Sequence, residues 1–209
     1  ILNQNARYVG REFLNYVSRI YGKEVKRGPL EAADHLMMLQ MHEAIEAASV
    51  RRIGNAKGFD EAFVIAVALN EGMPSQTTRS SVRMRLQQYS TPFPIAVAAQ
   101  QVALIAQGNK IFEPTAGNGS LLSMVAQRDD VTIVANEIDG TRARRLGQLL
   151  NRERASVTVN DITTRSNEPC DVVISNPPFG ALKEPVRFQS KHFPVQQDER
   201  LMVHRLDQQ

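Results

Sequence analysis

The alternation of hydrophobic and polar positions divides the chain into two parts that differ in predicted secondary structure. In residues 1–88, apolar side chains recur about three to four positions apart, the spacing of one helix face. This pattern predicts three helices, at residues 3–21, 29–51 and 59–70. Pro29 suits the first turn of the second helix, and Gly72 with Pro74 breaks the third. Residues 1–88 are therefore predicted to form a helical region.

The second part, residues 89–209, alternates short apolar runs with helical segments. Thr91 as N-cap and Pro92 as first helical residue predict a helix that runs to Gln107 and stops at Gly108. Four strands are predicted next, at residues 111–113, 131–136, 155–159 and 172–175, with helices at residues 119–128 and 140–152. This alternation is typical of a parallel sheet with helical crossovers. We predict an α/β, Rossmann-like fold with a partial sheet of about four parallel strands.

Composition restricts the class of protein without indicating one function. The hydrophobic fraction of 42% is enough for a real core, and the formal net charge of +3 is only weakly basic. Binding to nucleic acid is compatible with this charge but not required by it. The single cysteine, Cys170, excludes an internal disulfide framework and fits a reducing, cytoplasmic compartment.

The apolar runs are too short for a membrane span, and no signal peptide is evident. The chain begins at Ile1 and ends at Gln209 within a helical pattern, so we expect it to be a piece of a longer polypeptide. His35 and His42 are seven residues apart and could share a helix face, but further metal ligands are not evident nearby. We expect no metal site and no membrane association.

Three arginines, Arg79, Arg83 and Arg85, fall within seven residues of the helical region. Arg79 and Arg83 are four apart and would share a helix face. A solvated helix face and a rim that contacts phosphates are equally compatible with this pattern. We expect a weak nucleic-acid contact here if the protein binds DNA.

The first predicted strand ends in a glycine-containing turn, Glu113-Pro114-Thr115-Ala116-Gly117-Asn118-Gly119. Glycines let the backbone approach a ligand closely, and a helix start offers free N–H groups. A dinucleotide-binding turn would have a third glycine where this chain has Leu122. The turn therefore argues against a dinucleotide, while the carboxylate of Glu113 could pair with an ammonium group.

The second and third predicted strands also end in acidic residues. Glu137 follows the second strand, 20 residues after Gly117, where a carboxylate can accept hydrogen bonds from both hydroxyls of a ribose. Ile138 beside it is placed to pack on an adenine ring. The third strand ends at Asn160-Asp161-Ile162, and Asp161 can accept from an exocyclic amine. Acidic residues at three adjacent strand ends indicate a ligand site at the carboxyl edge of the sheet.

The fourth predicted strand ends in the tip Asn176-Pro177-Pro178-Phe179. Both prolines lack an N–H and fix φ, so the strand stops here in a rigid loop. The Asn176 side-chain oxygen and the Pro177 carbonyl could each accept one hydrogen of an NH₂ group, which would aim the nitrogen lone pair at a methyl donor. Positioning then replaces a strong base. The Phe179 ring would stack on an extruded base.

These segments resemble the class I S-adenosylmethionine-dependent methyltransferases of the N6-adenine type, with the motifs in the gamma order. The resemblance covers residues 89–180. It implies a catalytic tetrapeptide, Asn176, Pro177, Pro178 and Phe179. It also implies cofactor contacts in five segments: Tyr89, Ser90, Thr91 and Pro92; Glu113 to Gly119 (Glu113, Pro114, Thr115, Ala116, Gly117, Asn118 and Gly119); Glu137 and Ile138; Asp161 and Ile162; and Asn176.

A narrower likeness involves the run from Pro74 to Pro92 and the terminal Arg205-Leu206-Asp207. Both are similar to the methyltransferase domains of bacterial, phage and plasmid strawberry-notch-like proteins. In that family the domain is joined to a helicase region. The likeness implies a mobile-element protein with a role in DNA modification or anti-restriction.

The sequence therefore predicts a site-specific adenine-N6 DNA methyltransferase domain, truncated at its C-terminal end. An RNA or protein-glutamine methyltransferase with the same tip is one alternative. An inactive module that binds cofactor or DNA for an attached helicase is another. Capping of the sheet and covering of DNA are both compatible with the pattern of residues 1–88.

Overall fold

The computed structural model describes residues 11–25, 28–74, 90–162 and 169–177. Its helices are α1 (Arg11–Ile20), α2 (Ala32–Gly54), α3 (Phe59–Gly72), α4 (Phe93–Val102) and α5 (Gly140–Leu149), with a short 3₁₀ helix at Ser120–Leu122. Its strands are β1 (Lys110–Glu113), β2 (Thr132–Asn136), β3 (Ala155–Thr158) and β4 (Val172–Val173). The helix face predicted for Arg79 and Arg83, the helical pattern at the end of the chain, and the boundary at residues 88–89 lie outside the described residues.

The four strands form one parallel sheet in the order β3-β2-β1-β4. This is the order of the first four strands of a Rossmann-like sheet, so the predicted fold class is confirmed. The β4 strand pairs over only two residues, although the Ile174 N–H still donates to the Phe112 carbonyl at 3.1 Å. The chain reverses its crossover direction beside β1, which places β2 on one side of it and β4 on the other.

The main core lies on one face of the sheet. Ile111 and Ile133 point to this face and pack with Leu122 and Leu146 from the helical layer. Phe112 and Val134, one position along each strand, point to the opposite face and pack with Ile162. The strands therefore alternate between faces as a sheet requires, with apolar residues on both.

The N-terminal helices form a further layer on the main-core side. A second buried cluster joins α2, α3, α4 and the last turn of α5, with Val50, Ala66, Val97 and Leu149 among its members. A third cluster packs α1 against the first half of α2. In the described residues, α2 and α3 thus cap the helices of the sheet and share a continuous core with them. None of these helices has the length and hydrophobicity that a membrane crossing requires.

The second helix begins later than its sequence suggested. Its first residue is Ala32 rather than Pro29, because Glu31 and Asp34 form a reciprocal capping box that satisfies the free N–H groups of the first turn. At its other end it continues past Arg51 to Gly54, where Val50 and Ile53 are buried in the second cluster.

The predicted start of the next helix was wrong by one residue. Pro92, not Thr91, is the N-cap of α4, and the Thr91 hydroxyl accepts a hydrogen bond from Asn176 instead. The helix also ends at Val102 rather than Gln107, and Gly108 adopts a left-handed turn (φ 85°) that leads into β1.

The α-helix predicted at residues 119–128 is absent. Only Ser120–Leu122 is helical, and it is a 3₁₀ helix. The Met124 N–H, which would donate to Ser120 in an α-helix, donates at 2.8 Å to the side-chain oxygen of Gln100. The Gln100 Nε2 donates to the Ser123 hydroxyl at 3.0 Å. This buried glutamine of α4 therefore takes the place of one α-helical hydrogen bond, while the Ser123 and Val125 N–H groups donate three residues back, to Ser120 and Leu122.

Candidate active site at the carboxyl edge of the sheet

The loops that follow β1 and β4 meet where the crossover direction reverses. The Thr115 hydroxyl lies 3.2 Å from the Ser175 hydroxyl and donates at 3.3 Å to the Asn176 carbonyl. In open α/β sheets this crevice at the carboxyl ends of the strands is where ligands bind. The turn after β1 and the tip after β4, which the sequence indicated separately, thus form one site.

The turn after β1 is held by the acidic residue after β2. Glu137 is buried, and its Oε2 accepts a hydrogen bond from the Gly117 N–H at 2.8 Å. Its Oε1 accepts from the Asp139 N–H at 2.9 Å. Each carboxylate oxygen keeps a second lone pair. Glu137 can therefore orient the turn and still accept hydrogen bonds from a ligand.

Two residues hold the tip after β4. The Asn176 side-chain amide donates to the Thr91 hydroxyl at 3.1 Å, which connects the tip to the start of α4. The backbone carbonyl of Asn176 accepts a hydrogen bond from the Thr115 hydroxyl. With its Nδ2 engaged by Thr91, the side-chain oxygen of Asn176 is the atom left to accept from a ligand.

Glu113 at the end of β1 is 1% exposed. Burial raises the pKa of its carboxyl well above the ordinary value, with the charge of Glu137 adding to this and the Thr115 N–H opposing it. Its Oε1 accepts from the Thr115 N–H at 3.4 Å, and its Oε2 has no hydrogen-bond partner among the described residues. A cation that enters the crevice would favour the ionised form.

Asn136, the last residue of β2, was missed by the sequence analysis. Its Nδ2 donates to the carbonyls of Pro114 at 3.1 Å and Asn160 at 2.9 Å, and its Oδ1 accepts from the Thr158 hydroxyl at 2.9 Å. This buried amide ties the loops after β1 and β3 to the middle strand. The position of Asn136 between an apolar run and the acidic Glu137 is the sequence signal that could have identified this residue.

A buried polar cluster lies behind the turn. Its member Asn118 was predicted as a cofactor contact, whereas its other members were missed. Asn118 donates from Nδ2 to Glu46 Oε2 at 2.5 Å, and Arg142 donates from Nε to Glu43 Oε1 at 3.1 Å. Arg145 also donates to Glu43. Both glutamates come from α2, far from the turn in sequence.

Five buried polar atoms around this crevice and the start of α4 have no hydrogen-bond partner within the described ranges. They are Ser90 Oγ, Glu113 Oε2, Asn118 Oδ1, Ser120 Oγ and Arg142 Nη2. Buried polar atoms in proteins are normally hydrogen-bonded, so these atoms are candidates for contact with a ligand. In the part of the chain that the structure describes, no cluster of three or more potential metal ligands occurs.

The remaining predicted site residues have different positions. Ile138 is 46% exposed beside Glu137 and accessible to a ligand, and Asp161 is exposed beyond β3. Ile162 is 7% exposed and packs with Phe112 and Val134 on the far face of the sheet. The other predicted site residues fall in stretches that are not described: Tyr89, Pro178, Phe179, Arg79, Arg83 and Arg85.

Cys170 is partly buried beside the cluster formed by Phe112, Val134 and Ile162. Burial raises the pKa of its thiol, with the nearby positive charge of Lys110 opposing this. A thiol with a raised pKa holds little reactive thiolate at neutral pH, so Cys170 is a poor candidate for a nucleophile.

The chain matches no protein-family model and no curated protein sequence. Among solved structures, it is similar to a protein of Pyrococcus horikoshii described as an RNA methyltransferase, with a TM-score of 0.42 and 23% identity over 56% of this chain and 58% of that one. TrmN from Thermus thermophilus gives a TM-score of 0.38 and 14% identity over 80% and 75% of the two chains.

A TehB-like S-adenosylmethionine-dependent methyltransferase from Corynebacterium glutamicum gives a TM-score of 0.33 and 18% identity over 38% of this chain and 42% of that one. The chain thus spans about half the length of the Pyrococcus and Corynebacterium proteins. Nothing about this protein's activity or substrate follows from these likenesses.

Proposed function

We propose that this protein is an S-adenosylmethionine-dependent methyltransferase and that its acceptor is the N6 amine of adenine in DNA. The observation that carries the proposal is the placement of Asn176. Its backbone carbonyl is bound by Thr115 of the turn after β1, and its side-chain amide by Thr91 at the start of α4. An amide acceptor is thereby held directly beside the proposed cofactor turn.

The crevice suits the cofactor on three counts. Glu137 holds the Gly117 N–H and has lone pairs left for ribose hydroxyls. Glu113 supplies a buried carboxyl without a partner on Oε2, which suits a cationic amino group. The exposed Ile138 offers an apolar surface for a base. When bound, S-adenosylmethionine supplies a methyl group on a positively charged sulfur.

Asn176 and Pro177 would act on the acceptor. The adenine amine is a poor nucleophile because its lone pair is delocalised into the ring. Hydrogen bonds from its two N–H groups to Asn176 Oδ1 and the Pro177 carbonyl favour a pyramidal nitrogen, whose lone pair is then free for attack. The amine nitrogen would bond to the methyl group as the methyl–sulfur bond breaks, which would leave a neutral thioether, and the amine would lose a proton to solvent. Orientation thus takes the place of a strong base.

The sequence motifs support adenine in DNA as the acceptor. They also support a mobile-element protein in which this domain is attached to a helicase region. Phe179 would stack on an extruded base, which favours a nucleobase over a glutamine amide. Arg79, Arg83 and Arg85 would contact phosphates. An RNA adenine and a protein glutamine present the same NH₂ group beside a planar group. An assay in which DNA, RNA and peptide acceptors compete therefore distinguishes the three.

Transfer of labelled methyl groups to unmethylated duplex DNA tests the proposal. We expect Asn176→Ala to lose about a hundredfold or more in kcat, the range seen when one transition-state hydrogen bond is removed. It should keep most of its cofactor affinity, because the backbone contact of residue 176 with Thr115 remains. Asn70→Ala, at an exposed position of α3, is the matched control and should retain full activity.

Equal incorporation by wild type and Asn176→Ala would refute the mechanism. Preferential labelling of RNA or of a glutamine peptide in a mixed assay would replace the acceptor and keep the chemistry. A folded wild-type protein without detectable binding of S-adenosylmethionine by calorimetry would instead favour a module that serves an attached helicase.

A further inference from the structure

Helix α2 presents two buried acidic side chains to the rear of the proposed cofactor turn. Glu43 and Glu46 are three residues apart, so they share a helix face. They are 7% and 2% exposed, which is unusual for carboxylates unless they are paired. Their hydrogen-bond partners include Asn118 of the loop after β1 and Arg142 of α5.

Glu46 determines the orientation of the Asn118 amide. Its Oε2 accepts from Asn118 Nδ2 at 2.5 Å, and its Oε1 lies 3.4 Å from His42 Nδ1, one helical turn earlier. The NH₂ end of Asn118 therefore faces Glu46, and its oxygen lies on the other side of the amide. The other end, Asn118 Oδ1, is buried and has no hydrogen-bond partner within the described residues.

Glu43 contacts two arginines of α5, one of which lies against the same turn. It accepts from Arg142 Nε at 3.1 Å and also from Arg145. The Arg142 Nη1 atom lies 3.7 Å from the position that a Cβ on Gly117 would take, so the guanidinium lies directly behind the turn. The backbone N–H of Arg142 donates to Asp139, whose own N–H donates to Glu137.

We propose that α2 is a positioning element for the cofactor, in which Glu46 fixes the Asn118 amide so that Oδ1 accepts a hydrogen bond from the cationic amino group of S-adenosylmethionine. This inference rests on the proposed function and adds to it a role for the N-terminal helices. Asn118 touches the cofactor, whereas Glu46 acts only through Asn118. The helical layer is then part of the cofactor site rather than a separate appendage.

The test compares three variants by calorimetric titration with S-adenosylmethionine. Glu46→Ala frees the Asn118 amide to rotate and should weaken cofactor binding about tenfold, as expected for a lost hydrogen bond to a charged group. Glu46→Gln keeps an oxygen acceptor and should recover most of that loss. Ile45→Ala removes buried apolar volume from the adjacent residue, whose side chain packs toward α1. It should lower the melting temperature and leave the affinity unchanged.

A double-mutant cycle identifies the partner through which Glu46 acts. Asn118→Ala alone should weaken binding about as much as Glu46→Ala, and the double variant should be no weaker than Asn118→Ala. In turnover assays, the loss from Glu46→Ala should appear in KM for the cofactor, with kcat at saturation near wild type. A residue that served only the stability of the fold would give neither pattern.

Each outcome separates this inference from the proposed function. If wild type fails to bind S-adenosylmethionine, the proposed function is refuted and this inference with it. If wild type binds and Glu46→Ala binds equally well, the function stands and the positioning role is refuted. Additive losses in the double variant, or equal loss of affinity in Ile45→Ala, would also overturn the positioning role.

Discussion

Substituting Gly119, at the end of the proposed cofactor turn, should destabilise the protein through two separable effects. Gly119 has φ 87°, and a Cβ there would lie 2.8 Å from Leu146 Cδ1, a side chain that is fully buried in the main core. Gly108 has nearly the same backbone, φ 85°, but a Cβ there would meet nothing within 4 Å. The two glycines therefore differ in their surroundings and not in conformation.

The magnitudes follow from that comparison. A side chain in the left-handed region costs about 1–2 kcal/mol, and this applies to both Gly108→Ala and Gly119→Ala. Pressing a methyl group into a packed core adds about 1–3 kcal/mol, and this applies to Gly119→Ala alone. The loss of entropy in the unfolded chain is the same for both and cancels in the difference. Gly119→Ala should therefore be less stable than Gly108→Ala by about 1–3 kcal/mol.

Urea titration monitored by circular dichroism measures both free energies of unfolding. Calorimetry should also show weaker binding of S-adenosylmethionine by Gly119→Ala and unchanged binding by Gly108→Ala, whose turn lies before β1 at the opposite edge of the sheet. Equal destabilisation of the two variants would refute the contact between the turn and Leu146. Stronger destabilisation of Gly108→Ala would refute the backbone assignment as well.

Three further predictions address the site. Because burial raises the pKa of Glu113, the folded state keeps this proton to higher pH than the unfolded state, so the wild type loses stability as pH rises above about 4.5. Glu113→Gln lacks this loss and should have the higher melting temperature at neutral pH, with weaker cofactor binding. Thr91→Val removes the hydroxyl that accepts from Asn176 and should lower kcat more than cofactor affinity, with a change in stability of about 0.5–1.5 kcal/mol. Ile162→Ala, in a buried cluster, should cost about 2–5 kcal/mol of unfolding free energy in urea. Ile138→Ala, half-exposed, should cost little and should weaken cofactor binding instead.

Each of these has a contrary result. A melting-temperature gap between Glu113→Gln and wild type that narrows as pH rises would mean that the carboxyl is not buried in its neutral form. Unchanged kcat in Thr91→Val would mean that its hydroxyl does not orient Asn176. Equal losses of stability in Ile162→Ala and Ile138→Ala would contradict the burial of Ile162 and the exposure of Ile138.

The strands and their direction could be predicted from sequence because they depend on local patterns. Short apolar runs followed by turns mark the strands, as at Ile111 and Phe112 or at Ile133 and Val134. Parallel strands bring the ends of all such runs to one edge of the sheet. The meeting of Glu137 with the glycine turn followed from that rule. The α-helix predicted at residues 119–128 was wrong, because Gln100, which lies outside that segment, accepts the Met124 N–H.

The asparagine–proline tip shows what could not be predicted from the sequence. Its sequence indicated a rigid loop with an acceptor for an amine, and the fold places this loop beside the turn after β1. The same residues did not indicate that Thr91 orients Asn176, since Thr91 was predicted to cap its own helix. Both roles suit a threonine, and only the three-dimensional position of Asn176 distinguishes them.

Taken alone, the sequence determined the α/β class, the strand ends that carry acids, and the chemistry available at Asn176, Glu113 and Glu137. These depend on the periodicity of side chains and on residue type, which act over a few residues. The tertiary structure decided that α2 belongs to the site, since the contact of Glu46 with Asn118 joins residues 72 positions apart. No local pattern encodes such a pair, because only the packing of α2 against the turn after β1 brings the two residues together.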